Sequence, residues 1–209
     1  MDFSPNPDQI ALNSALDKLA ENFKTPPTDF RRFALLDNSL DQALENGGFF
    51  EAANIPELGP VSAAMMVETL ARLPYTAEVA LSMLVRPQLE GDWPRPLALV
   101  ENGRPGRFVA EAATLIILDG DQVGLLSAPA GATVKVESLF AYPMGKTKEQ
   151  LAFTPLDNTQ ASRIRTWLRV ALSAEVAGLL QSALDAATEH LRLRKQFGRP
   201  LGSFQAVQH

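Results

Sequence analysis

The sequence predicts an α+β multidomain chain: an N-terminal helical domain over residues 1–92, a small antiparallel β-barrel or sheet over 93–158, and the start of a C-terminal helical bundle domain, incomplete, over 159–209. Three observations predict it. Apolar residues recur at helical spacing up to about residue 90. Short runs of branched and apolar residues then follow one another as far as Leu156, with no helical stretch between them. From Thr159 a long helical stripe returns.

In the first unit, Asp8 is expected to cap a helix that carries Leu12, Leu16, Leu19 and Phe23 on one face, and Pro26-Pro27 break it. A second helix is expected from near Asp29, with Phe33, Leu36, Leu40 and Leu44 in line and Gly47-Gly48 at its end. A third begins near Pro60, a good first-turn residue. It is apolar nearly all round, so it should lie deep, with Glu68 and Arg72 paired on its one wet edge. Pro74 ends it, and a shorter helix follows from Thr76 to Val85.

In the second unit, strands are expected at 96–101, 107–110, 114–118, 122–126, 132–137 and 150–156. Asp119-Gly120-Asp121 reads as a hairpin turn, and Gly103 to Arg107 as a second hairpin connection. In the third, Trp167, Val170, Ala171, Ala174, Ala177, Leu180, Leu184, Ala187 and Leu191 trace a stripe that runs to about Lys195. Ala174, Ala177, Gly178, Ala183, Ala186 and Ala187 narrow this helix, which suits close packing in a bundle. A further helix is expected from Ser203. The long helix cannot bury its stripe by itself, so a covering element or a longer parent chain is expected.

Composition removes several function classes. A formal net charge of -5 gives no bulk basic surface for nucleic acid. The absence of cysteine excludes disulfides and thiolate chemistry, and the two histidines make no histidine-rich metal site. No unbroken apolar run approaches the ~20 residues of a bilayer span, and the N-terminus lacks a basic-then-apolar leader, so a cytoplasmic protein without a membrane partner is expected. Met65, Met66 and Met83 read as core filler, and Glu189-His190 as a solvated helix face.

The stretch from Leu193 to Gln205 has two readings. Basic residues offset the negative end of a helix dipole, Gly198 suits a left-handed turn, Pro200 prevents continuation and Ser203 caps the next helix. The same residues also suit a polyanion: Arg192, Arg194, Lys195 and Arg199 cluster beside Phe197 and Phe204, and a guanidinium fork matches two phosphate oxygens.

Arg194-Lys195-Gln196-Phe197-Gly198-Arg199-Pro200-Leu201-Gly202-Ser203-Phe204-Gln205 and the residues up to His209 resemble the arginine–glutamine–phenylalanine–glycine signature of acyl-CoA dehydrogenases. Ala174 to Gly178 and Ala183 to Ala187 resemble that family's long helix. The resemblance implies FAD-dependent α,β-dehydrogenation of an acyl-CoA in fatty acid or steroid side-chain metabolism. A glutamate would take the α-proton and the flavin the β-hydride. It implies that Arg194 meets the FAD pyrophosphate and that Gln196, Phe197, Phe204 and Gln205 line the adenosine side. It also implies a homo- or hetero-oligomer, because these residues usually reach FAD held by a neighbouring subunit.

The sequence departs from the family pattern in two places. The β-region segments that normally cover the flavin ring are not found, so the chain is not expected to hold that ring alone. The family's catalytic glutamate usually lies in helices beyond the equivalent of His209, so no catalytic residue is assigned, and Glu175 reads as a surface or capping charge. The expected role is an acyl-CoA dehydrogenase-like subunit or fragment working with a partner. The alternative is a non-enzymatic assembly subunit of such a complex. A related flavin enzyme, an acyl-CoA oxidase or a flavin monooxygenase, is a third.

Overall fold

The computed structural model describes residues 4–26, 37–137 and 142–205. Helix α1 spans Pro7–Glu21 and starts earlier than the Asp8 cap expected from sequence. Asn6 is the cap: its side chain accepts the Gln9 N–H at 2.8 Å, while the Gln9 amide accepts the Asn6 N–H at 3.0 Å. This reciprocal capping box satisfies donors that Asp8 would leave open. Asn6 and Gln9 also donate to the carbonyls of Glu57 and Leu58 just ahead of α3, fixing α1 against it.

Helix α2 spans Asn38–Asn46, capped by Asp37, and closes at Gly47 as expected. Asp29, Phe33 and Leu36, expected in its first part, lie outside the described residues. Helix α3 spans Gly59–Ala71 with Pro60 in its first turn, and Ser62, Ala63, Met66, Val67 and Leu70 are buried. Glu68 and Arg72 pair on its wet edge. Met66 and Met83 are fully buried, whereas Met65 is exposed. The segment expected as a short helix becomes a π-type turn over Leu81–Val85 followed by a 3-10 turn over Arg86–Gln88.

That turn is tied down from inside. Buried Glu78 accepts the N–H groups of Leu81 and Ser82, the Ser82 hydroxyl, and the Leu97 N–H of the first strand. Arg95 reaches the same place, donating to the Ser82 hydroxyl and the Glu78 carbonyl, pairing with Asp41 at 2.6 Å and Glu45 at 3.0 Å, and lying 3.3 Å over the Phe50 ring. Glu78 is buried and Arg95 nearly so because each is paired or hydrogen-bonded, while Asp41 and Glu45 meet Arg95 from the solvent side.

The strands are β1 (Leu97–Glu101), β2 (Gly106–Arg107), β3 (Thr114–Asp119), β4 (Gln122–Ser127), β5 (Thr133–Val136) and β6 (Met144–Thr147). They make two three-stranded sheets, ordered β1-β3-β4 and β2-β6-β5, and no closed barrel. The β3–β4 hairpin turns at Gly120 as expected. Three expectations fail. β1 and β3 run parallel, so the first sheet is mixed rather than antiparallel. The glycine-rich connection after Glu101 is not a hairpin, because β2 leaves β1 to pair with β6. Residues 150–156 form no strand beyond a bridge from Pro155 to Gly124, and Met144–Thr147 takes the place in the sheet.

The first sheet is apolar on both faces, which explains the unbroken run of β3. Leu97 and Ile116 pack into the helical core, while Ala98, Val100, Leu115 and Ile117 fill a smaller core with Val109, Ala113 and Ala128 on the other side.

Helix α4 spans Asn158–Leu193, capped by Asp157. It buries Ala161, Ile164, Leu168, Ala171, Glu175 and Gly178, and meets α3 at Gly178. By length and composition it is apolar enough to cross a membrane, although no unbroken apolar run of that length exists. The stripe expected from sequence is rotated from the buried face: Val170, Leu180 and Leu184 are exposed, Leu180 at 65%.

Candidate functional site

The end of α4 builds a cationic turn. Arg194 is the C-cap, and its N–H still bonds the His190 carbonyl at 2.9 Å. The chain then folds as a minimal hairpin, β7 (Lys195–Gln196) against β8 (Arg199–Pro200). Phe197 and Gly198 are its central residues, at φ 51° and 79°. Positive φ at both positions is the hairpin turn whose twist matches its strands. Glycine adopts it freely, but phenylalanine is strained there by about 1–2 kcal/mol. Phe197 is also 93% exposed, so no burial offsets that strain.

The Leu201 N–H returns to the Arg194 carbonyl at 2.8 Å, seating the turn on the helix end. Phe204 meets Phe197 edge-on with ring centroids 6.4 Å apart, and the Arg199 guanidinium lies 4.1 Å over the Phe204 ring. Arg194, Gln196 and Gln205 are exposed, and no carboxylate among the described residues pairs with Arg194. The turn therefore brings together the residues singled out from sequence. Ser203 donates its hydroxyl back to the Pro200 carbonyl at 2.7 Å, and the helix expected to follow lies mostly outside the described residues.

A guanidinium and two solvent-facing amide side chains near the exposed Phe197 ring and the half-buried Phe204 ring form a donor set suited to a diphosphate attached to a planar base. The residues present fit the dinucleotide that the sequence resemblance implies.

The second cluster was not legible as such. Glu175 is not a surface charge but is buried at 6% exposure, on the α4 face that packs inward. Arg107 of β2 forks onto it, Nη1 to Oε1 at 2.8 Å and Nη2 to Oε2 at 2.6 Å. The Tyr142 hydroxyl donates to Oε1 at 3.3 Å, and the Arg107 guanidinium lies 4.3 Å over the Tyr142 ring. Burial pushes the Tyr142 phenol up, reinforced by the Glu175 charge against the opposing pull of Arg107. Burial alone would lower Arg107, but the hydrogen bonds and charge of Glu175 outweigh it and hold it above its ordinary range. Spacing carried the signal: Glu175 falls in line with Ala171 and Gly178 on the buried stripe, where a carboxylate requires a partner. Glu189 and His190, by contrast, are exposed as expected.

With both oxygens in the guanidinium fork, Glu175 is poorly placed as a proton acceptor. Arg107 and Glu175 line a mainly apolar recess of about 280 Å³ with Leu99, Phe108, Met144 and Leu172, and Glu101 and Arg104 also stand in its wall.

Residues 159–209 match the family model "Acyl-CoA dehydrogenase, C-terminal domain". Acyl-CoA dehydrogenase FadE34 of Mycobacterium tuberculosis is 32% identical over 119 residues, a stretch that is 54% of this chain and 17% of that protein. The chain thus spans less than a fifth of that relative. Among solved structures, a Tcur3481-Tcur3483 steroid ACAD G363A variant superposes with a TM-score of 0.68 at 20% identity, covering 99% of this chain and 72% of the other. The ChsE4-ChsE5 complex from Mycobacterium tuberculosis gives 0.63 at 20% identity, covering 100% of this chain and 73% of the other. These two likenesses show the fold. The matched stretch, which carries the cationic turn, is similar to the C-terminal domain of acyl-CoA dehydrogenases.

Proposed function

We propose that this chain is an acyl-CoA dehydrogenase-type subunit that lends its cationic turn to an FAD site shared with a partner chain. The pair would carry out α,β-dehydrogenation of an acyl-CoA. The observation that carries the reading is the display of Arg194 and Phe197: a strained, fully exposed ring beside an unpaired guanidinium, within the stretch that matches the family. Arg194 and Lys195 would hold the diphosphate. Gln196 and Gln205 would offer amide groups to the adenosine, and Phe197 and Phe204 would pack on its base. When bound, FAD supplies the hydride acceptor. No residue of this chain is assigned as the base. The heteromeric complex named among the structural neighbours supports a shared site.

The test is to mix the chain with an FAD-bearing chain of the same family and follow flavin absorbance through size-exclusion chromatography. Co-elution of flavin with both chains, weakened at least tenfold by Arg194→Ala, is the expected result. Flavin retention indifferent to Arg194 would overturn the reading. The exposed apolar stripe of α4 favours a second reading, an assembly subunit without flavin contact. That reading predicts a stable complex whose flavin content does not depend on the turn.

A further inference from the structure

We propose that Arg107, Glu175 and Tyr142 form a septum between two apolar recesses and thereby set the length of aliphatic chain this protein accepts. The recess of about 280 Å³ has Arg107 and Glu175 in its wall. A second, of about 200 Å³, has Tyr142 and Glu175 in its wall, together with Leu40, Leu70 and Leu179. Glu175 lines both, Arg107 lines the first and Tyr142 the second. Ala77 and Val79 also line both, so the wall between the two spaces is made by Glu175 with the 77–79 segment, Arg107 flanking it on one side and Tyr142 on the other.

The septum is stiff for stated reasons. The bidentate fork fixes the carboxylate plane, the tyrosine hydroxyl adds a third contact, and the guanidinium stacks on the tyrosine ring. It is anchored at both ends, because Arg107 belongs to the β2 strand and Glu175 to α4. An alkyl chain lying along the first recess gains by burying methylenes against Leu99, Phe108, Met144 and Leu172. At the septum the gain stops: the next methylene would have to part a desolvated ion pair, which costs more than its burial returns. Beyond lies apolar space that the chain reaches only if the septum gives way. The ligand class is an unbranched aliphatic chain, and the three residues are specificity determinants rather than reacting groups. That the chain belongs to an acyl thioester rests on the function proposed above; the length limit itself needs no flavin.

The experiment measures binding of straight-chain alcohols, butanol to dodecanol, to the full chain by displacement of the apolar dye anilinonaphthalene sulfonate. For the native protein, affinity should rise about fourfold per methylene and then level off at a definite length. In Arg107→Ala/Glu175→Ala the rise should continue for several further carbons. In Arg107→Gln/Glu175→Gln, which keeps side-chain bulk but removes the ion pair, the limit should also move outward, by less than in the double alanine variant. Should the double alanine variant not fold, Glu175→Asp keeps the pair and retracts the wall, and should extend the limit by about one carbon. An unchanged limit in every folded variant would overturn the septum, as would absence of alcohol binding to the native protein. Either outcome leaves the flavin reading standing, because flavin retention is read separately through Arg194.

Discussion

Gly178 of α4 lies directly against the carbonyl of Glu68 in α3: a Cβ at position 178 would stand 2.1 Å from that oxygen and 2.8 Å from the Ala71 methyl. The two longest-contacting helices of the core cross here because a side chain is missing. The contact sets the height at which Glu175, one turn earlier, faces β2.

Gly178→Ala should therefore destabilise the protein even though alanine is the better helix former. The propensity gain is about 1 kcal/mol. The clash is with backbone, which cannot rotate away, and overpacking of this kind costs about 1–3 kcal/mol or more. A lowered urea midpoint with an unchanged m-value is expected, together with weakening of the Arg107–Glu175 contact.

Glu175→Ala should cost about 2–3 kcal/mol, since it strands a guanidinium that is only one-third exposed at 32%. Replacing both partners, Arg107→Met with Glu175→Leu, should recover most of that loss, because an apolar pair of similar volume leaves no orphaned charge. Equal loss in the single and double variants, measured by urea unfolding, would contradict this account.

Asp37 and Glu78 should leave opposite marks on the pH dependence of stability. The Ser39 hydroxyl and N–H hold the Asp37 carboxyl below its usual 3.8, so its contribution to α2 is present above that pH and disappears as pH falls through the folded value. Asp37→Ala should cost about 1 kcal/mol near neutrality and less in acid. This is checked by unfolding native and variant protein across the acid range.

Burial pushes Glu78 above its usual 4.5, against the opposing hydrogen bonds from Ser82 and Leu97 and the charge of Arg95. The folded state then binds the proton more tightly than the unfolded one. The associated stability is complete below 4.5 and is lost as pH rises through the folded value. Glu78→Gln should remove that slope. It should also destabilise by about 1–3 kcal/mol, because an NH₂ group must then face a backbone or hydroxyl donor. Thermal midpoints of both proteins over the weakly acid range report both effects.

Phe197→Gly should leave the fold intact or raise its stability by up to about 1 kcal/mol, by relieving the left-handed strain. The same change should reduce flavin retention in the mixed complex, as should Arg194→Ala, whose effect on stability should lie within about 0.5 kcal/mol at so exposed a position. A variant that gains stability and keeps its flavin would detach the strain from the function.

The legible parts of the sequence were those governed by local rules. Helix ends at Gly47 and Pro60, the turn at Gly120 and the basic cluster after Leu193 depend on neighbouring residues alone. The parts that misled depend on distant partners. Nothing local distinguishes the 150–156 run, which stays out of the sheet, from Met144–Thr147, which enters it, since pairing there is decided by Gly106 and Arg107. Glu175 looked like a surface charge because its partner comes from β2, far away in sequence. Much of the face of α4 that looks most apolar points outward, since the position that admits α3 is Gly178, which has no side chain.

The parallel alignment of β1 with β3 dictates an order of assembly. The β3–β4 hairpin closes over a tight turn and can zip within microseconds. β1 has no such shortcut: the chain between Leu97 and Thr114 must turn back on itself before the parallel pair can form, with β2 leaving for the other sheet. Mutations in the hairpin should therefore slow refolding, while those in β1 should chiefly hasten unfolding.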